Sequence, residues 1–292
     1  MSVETVDLTL LREFLLRARN HDGGWGYQPG KASRLEPTCW AFLALGSALE
    51  RTVLEQWPCA EGLLLERHGG AANFAFHGQA LVTFRALNLE HAAGNRTLLA
   101  ALQRVKGMGL ASSTINRQDN SLQAWSWIDG TFSWVEPTAC CLLALKRARQ
   151  VGVGVDGARI SAAEALLYDR CCVSGGWNYG NSNMLGQELP PYVPTTALAL
   201  LALQDRPAEP AVARSRTYLE REALSEPSVA ALSLALIALR TLGRPVEHIE
   251  LALQEHDRII RREGCESEHQ AREKAHGWLI ELEVAHGRAT AE

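Results

Sequence analysis

Apolar residues in this chain fall into two kinds of helical stretch, and the two kinds alternate. In one kind polar positions are nearly missing, as in Leu142-Leu143-Ala144-Leu145 and in Leu198 to Leu203. A helix that is apolar on nearly every side has to be surrounded by protein. In the other kind charges hold one face, as in Leu8 to Arg19, Arg96 to Lys106, Ala158 to Cys171 and Val212 to Ala223. Such amphipathic stretches belong on the outside. The pattern predicts about twelve helices, near 7–19, 37–50, 60–67, 77–90, 95–106, 137–150, 158–172, 194–204, 209–223, 227–242, 246–263 and 267–286. Twelve alternating helices make six hairpins. The expected fold is all-α, an (α/α)6 toroid formed as a single domain over residues 1–292.

Three segments carry a longer pattern. DGGWGYQPGKASRLEPTCWAFLAL runs from Asp22 to Leu45, DGTFSWVEPTACCLLAL from Asp129 to Leu145, and SGGWNYGNSNMLGQELPPYVPTTALALLAL from Ser174 to Leu203. Each opens on a Gly-rich aromatic turn, passes a proline and a threonine, and enters an apolar helix. Thr38, Thr138 and Thr196 are each followed, five residues on, by Leu-Ala-Leu. Degenerate copies run from Glu226 to Leu239 and from Asn73 to Leu87. Internal similarity of this kind marks stacked supersecondary units. Proline suits a first helical turn, and the threonine or the acid before it is expected to cap the open amides there.

The connections are uneven. Thr38 follows Trp25 by thirteen positions, and Thr196 follows Trp177 by nineteen. Gly107 to Asn120 is a second long polar stretch, with Arg117, Asp119 and Asn120. These loops all enter inner helices, so they should gather at one rim, where repeat scaffolds carry binding.

Composition narrows the function. A net charge of -4 over 292 residues offers no basic face for nucleic acid. No run of about eighteen apolar residues could span a bilayer. The start, MSVETVDLTLLREFLL, lacks a basic segment before its apolar run and reads as a helix rather than a signal peptide. The seven cysteines include two adjacent pairs, Cys140-Cys141 and Cys171-Cys172, and no C-x-x-C. They read as reduced thiols of a cytoplasmic protein.

The Gly-Gly-Trp turn, followed by an acid, a threonine and a Leu-Ala-Leu helix, resembles the prenyltransferase and squalene-cyclase repeat of the terpenoid-cyclase and protein-prenyltransferase toroids. That resemblance implies a central cavity for an isoprenoid. Class II terpene cyclases protonate an alkene with the middle acid of D-x-D-D-T-A, a motif missing from this chain. Laying Thr38 on its threonine puts Glu36 on the middle acid and Pro37 on the last aspartate. The second copy puts Glu136 and Pro137 there, and the third puts Pro194 on the acid. Glu36 and Glu136 are therefore the candidate catalytic acids. They also stand at helix N-termini, where negative charge is favoured by about 0.3–1 kcal/mol in any fold.

The zinc-dependent prenyltransferases place an Asp and a Cys two residues apart, with a later His. The nearest match is Glu36, Cys39 and His77, with the first two three apart, so no metal and no other cofactor is expected. The G-C-G-E-Q thioester motif and the Cys-His-Gly zinc motif of lanthionine cyclases are missing too. In such toroids aromatic faces line the cavity and steady cations. Trp40, Trp125, Trp127, Trp134 and Tyr192 are the candidates here, with His77 beside them at an inner-helix start. Most of the other histidines read as helix surface. The charged stretch from Glu266 to Lys274 reads as solvated, docked through Trp278 and Leu279. The expected function is handling of an isoprenoid or other hydrophobic ligand. The rival is a toroid scaffold or binding protein without chemistry. A zinc-dependent prenyltransferase and a glycan-processing toroid are more distant alternatives.

Overall fold

A computed structural model describes residues 8–46, 52–66, 72–89 and 93–263. The elements are α1 (Leu8–Arg17), α2 (Leu35–Leu45), α3 (Thr52–Glu55), β1 (Cys59–Ala60), β2 (Leu63–Leu64), α4 (Phe74–Ala86), α5 (Ala93–Arg104), α6 (Val135–Gln150), α7 (Gly157–Asp169), β3 (Asn183–Met184), β4 (Gln187–Glu188), α8 (Val193–Ala202), α9 (Pro210–Glu222), α10 (Val229–Thr241) and α11 (Glu247–Glu263). The helix expected at 60–67 is instead a hairpin, with Cys59 opposite Leu64 and Ala60 opposite Leu63. Glu61 and Gly62 make its turn at φ 52° and 84°, a left-handed pair that no α-helix contains. The end of the 37–50 prediction and the whole of 267–286, with Trp278 and Leu279, lie outside the described residues.

The apolar helices α2, α4, α6, α8 and α10 pack side by side in that order, and α1, α5, α7, α9 and α11 each back onto the helix paired with them. Phe42, Ala80, Leu142, Leu200 and Ala235, one from each inner helix, are fully buried. The amphipathic partners keep one face in water; on α11, Ile249 and Leu253 are buried while Leu251 is exposed. Neighbouring inner helices run the same way. Lys146, in the last turns of α6, donates to the Ala202 carbonyl at the end of α8. Among the described residues no helix is long and apolar enough to cross a membrane.

The repeat threonines do not cap their helices. The Trp25 amide donates to Thr38 Oγ1 at 3.0 Å, and the Thr38 hydroxyl donates back to the Trp25 carbonyl at 3.2 Å. Trp125 with Thr138 and Trp177 with Thr196 repeat the clasp. Each indole then donates to the end of the preceding outer helix: Trp25 to Leu15, Trp125 to Leu102 and Trp177 to Leu167, at 2.8, 3.0 and 2.6 Å. One tryptophan thus ties an outer helix to the inner helix that follows. The thirteen-residue spacing of the first copy recurs from Trp125 to Thr138, so the framework turn of the second copy begins at Trp125 rather than at Asp129. Side-chain caps occur elsewhere, at Asn73, Asp156 and Ser228.

Gly78 lets two inner helices approach closely. A Cβ there would lie 2.6 Å from the Cys140 carbonyl carbon and 2.7 Å from the Cys141 nitrogen, so α4 and α6 touch backbone to backbone.

Candidate functional site

The inner helices wall a central cavity of about 590 Å³. Each contributes one stripe at helical spacing: Glu36, Trp40 and Leu43 from α2; Phe76, Gln79 and Val82 from α4; Glu136, Cys140, Leu143 and Arg147 from α6; Leu198, Leu201 and Gln204 along α8 and just past it; Leu234, Ile237 and Thr241 from α10. The volume lies in the range of ordinary small-molecule sites.

Glu36 and Glu136 sit in the first turns of α2 and α6, one residue before Pro37 and Pro137. Neither helix has a side-chain cap at its N-cap residue. The Tyr27 hydroxyl donates to Glu36 Oε2 at 2.6 Å. Burial, and then the charge of Glu36, push the tyrosine well above its usual range, so it stays a donor. Behind this pair Glu66 is buried on Arg34 at 2.9 Å, and burial raises its carboxyl against the pull of that guanidinium. Glu136 is lifted to about 7, by burial first and then by the charge of Glu36. The two sequence-predicted acids therefore stand in one cavity and act on each other electrostatically.

The other candidates separate into layers. Trp40 is in the cavity wall. Trp127 packs edge-on against the wall residue Phe76, with centroids 6.4 Å apart, and accepts the Phe74 amide on its carbonyl. Tyr192 precedes α8, half exposed, 5.4 Å from Tyr179, whose hydroxyl is raised by burial and by Glu136. Trp134 leans on Phe132 at 4.7 Å and lines a second, smaller cavity of about 290 Å³ under the 108–122 loop. Trp125 does not line the central cavity: it is wholly buried in the framework clasp, with the Arg159 guanidinium 4.1 Å from its ring centroid. Nor does His77, which turns to Phe74 and to the Asn73 carbonyl and is held down to about 4 by burial. Cys39 is likewise buried, its thiol pushed up to about 12 by desolvation. Glu36, Cys39 and His77 do not converge, and no cluster of three metal-ligating side chains occurs among the described residues.

Tyr27, Gln79, Cys140, Arg147 and Gln204 were not singled out by the repeat. Stepping three or four residues along α6 from Glu136 does reach Cys140, Leu143 and Arg147. Tyr27 carries no such signal, because its loop brings it back over α2.

No family model and no curated protein matches the sequence. Solved structures do match. A protein from Actinoplanes is 14% identical, with a TM-score of 0.57 over 95% of this chain and 98% of that one. The type II terpene cyclase MstE from Scytonema is 17% identical, with a TM-score of 0.52 over 94% of this chain and 77% of the cyclase. A variant of the same cyclase in complex with its substrate, geranylgeranyl dihydroxybenzoate, is 18% identical with a TM-score of 0.50. At such identities the likeness is one of fold: the chain has a terpenoid-cyclase-like helical fold.

Proposed function

We propose that this chain is a terpenoid-cyclase-like α/α toroid, a single domain over residues 1–292 whose ring closes on the central cavity, and that it handles an isoprenoid or other hydrophobic ligand there. The observation that carries this reading is the cavity itself, about 590 Å³, walled by Leu43, Val82, Leu143, Leu201 and Ile237 from the inner helices and supplied with two carboxyl groups. The cyclase with the same fold takes a prenylated substrate. A cytoplasmic location belongs to this reading, on the free thiols Cys140, Cys141, Cys171 and Cys172.

In the catalytic form of the reading Glu136 is the acid. A carboxyl lifted to about 7 is half protonated at neutral pH, which is where a general acid works best. Such a group is too weak for an alkene and suited to an oxygen. It would protonate a hydroxyl or epoxide oxygen of an oxygenated isoprenoid; the C–O bond breaks, the cation forms near the face of Trp40, and the Glu136 carboxylate recovers a proton when the cation loses one. Glu36 supports the neutral form of Glu136. Trp127, Trp134 and Tyr192 form the rim.

A second reading, a binding toroid without chemistry, is favoured by Pro37 and Pro137, which stand where the cyclase motif has its last acid. Mass spectrometry of hydrophobic molecules copurifying with the protein, then turnover assays of them with E136Q and E36Q, decides. Loss of turnover in E136Q with retained binding supports the catalytic reading. Unchanged turnover in both variants removes it, and the absence of any hydrophobic ligand removes the cavity reading.

A further inference from the structure

The smaller cavity, of about 290 Å³ under the 108–122 loop, shares no wall residue with the central one. Its polar wall is built mainly from carboxamides, and they bond to one another in series. Gln118 Nε2 donates to Asn181 Oδ1 at 2.8 Å and to Asn120 Oδ1 at 3.2 Å. Asn120 Nδ2 donates in turn to Asn116 Oδ1 at 3.0 Å. Three groups of the series are left over. Among the described residues Asn116 Nδ2 and Asn181 Nδ2 have no acceptor, and the buried Gln118 Oε1 has no donor. Arg170 is the one charged residue in the wall, and its guanidinium is held by the Asp169 carboxylate and the Asp119 carbonyl. Free groups of both kinds without free charge suit a neutral ligand that donates and accepts.

The loop over this cavity is tied on two sides. The Leu185 amide donates to the Ile115 carbonyl at 2.7 Å, and the Asp119 amide donates to the Asp169 carboxylate. The wall is thus in place before a ligand arrives, which lowers the cost of binding one. The aromatic residues narrow the class. Phe132 and Trp134 pack on each other with centroids 4.7 Å apart, so no slot is left between them for a flat base. Phe132 is also exposed. The negative face of an aromatic ring attracts the polarised C–H groups along one side of a saturated sugar ring. We propose that this cavity binds a neutral carbohydrate, a mono- or disaccharide. Its hydroxyls meet the free groups of Asn116, Gln118 and Asn181, and its C–H face packs on Phe132. Glycoside hydrolysis draws on a pair of carboxyl groups, and none lines this cavity, so the site binds its sugar without cleaving it.

The test is saturation-transfer NMR on the full chain. The probes are glucose, galactose, mannose, N-acetylglucosamine, maltose, cellobiose and lactose, with uracil as the flat ring. At least one sugar should bind with a Kd of about 1 mM or tighter, with saturation strongest along one side of its ring, and uracil should give no response. F132A and N116A should each weaken that sugar about tenfold. F132Y, which keeps the ring, should bind as the parent protein does, and this separates stacking from a general loss of packing. Melting temperatures should stay unchanged in N116A and F132Y. Failure of every sugar to bind overturns the proposal. So does binding that F132A and N116A leave intact, or an F132Y variant as weak as F132A. A response to uracil in place of the sugars gives the cavity to a base and overturns it as well.

Discussion

Tyr27 holds Glu36 by a hydrogen bond of 2.6 Å, while no hydrogen bond to the Glu136 side chain occurs among the described residues. The two carboxyls of the cavity are thus unequal, one tethered and one governed by burial and by its neighbour's charge. Tyr179 and Cys140 are the other titratable groups that feel Glu136. In E36Q the neighbouring charge is gone and the burial remains. The midpoint of Glu136, followed by carbon-13 NMR of labelled glutamate, should fall from about 7 yet stay above that of an ordinary glutamate. An unchanged midpoint would mean that the two groups do not communicate.

The same shift sets a pH dependence of stability. The carboxyl of Glu136 titrates higher folded than unfolded, so its neutral form favours folding. That contribution is complete below about pH 4.5 and is lost as pH rises through about 7, a swing on the order of 3 kcal/mol. E136Q, which is neutral throughout, should gain on the parent protein between pH 4.5 and 7.5 in parallel urea melts, with the gap level above that. A gap that closes with rising pH would show that the fold favours the carboxylate.

The tryptophan–threonine clasp predicts a framework cost. T138V keeps the volume of Thr138 and removes the hydroxyl that serves both the amide and the carbonyl of buried Trp125. The Trp125 carbonyl still accepts the Trp134 amide, so the group left unpaired is the buried Trp125 amide; this should cost about 1–3 kcal/mol by denaturant unfolding, and T138S should restore most of it. Equal stability of T138V and the parent protein would show that the clasp contributes nothing.

Gly78 carries a prediction about packing. In G78A the added methyl meets the Cys140 carbonyl group and the Cys141 nitrogen, backbone atoms that cannot swing aside. Destabilisation of about 1–3 kcal/mol is expected, against the usual gain when alanine replaces a helical glycine. A stabilised G78A would mean that α4 and α6 part easily.

Much of this arrangement is legible in sequence because it depends on period. The all-round apolarity of Leu198 to Leu203 and the one-sided charge of Val212 to Ala223 locate α8 inside and α9 outside. The two glutamates follow from repeat register. The aromatic residues do not sort the same way, since an indole serves equally as a wall or a strut. Trp40 lines the cavity and Trp125 braces a turn, a difference set by which helix face and which carbonyl each meets. The 59–64 hairpin was hidden by its leucines, whose spacing suits a helix turn until Gly62 forces a reversal. Tyr27 was hidden because its partner lies across a loop.

The clasp has a consequence for how such a scaffold can change. Its two partners bracket a loop, and they meet in the same way whether the threonine follows thirteen positions on, as from Trp25 to Thr38, or nineteen, as from Trp177 to Thr196. Six further residues raise the entropy of closure by only about 0.3 kcal/mol. In the longer loop they build a small sheet, β3 with β4, that leaves the latch intact. The bracketed stretch is therefore an exchangeable cassette. New recognition elements could be spliced between a tryptophan and its threonine, and the hairpin beneath would still assemble from its own local contacts.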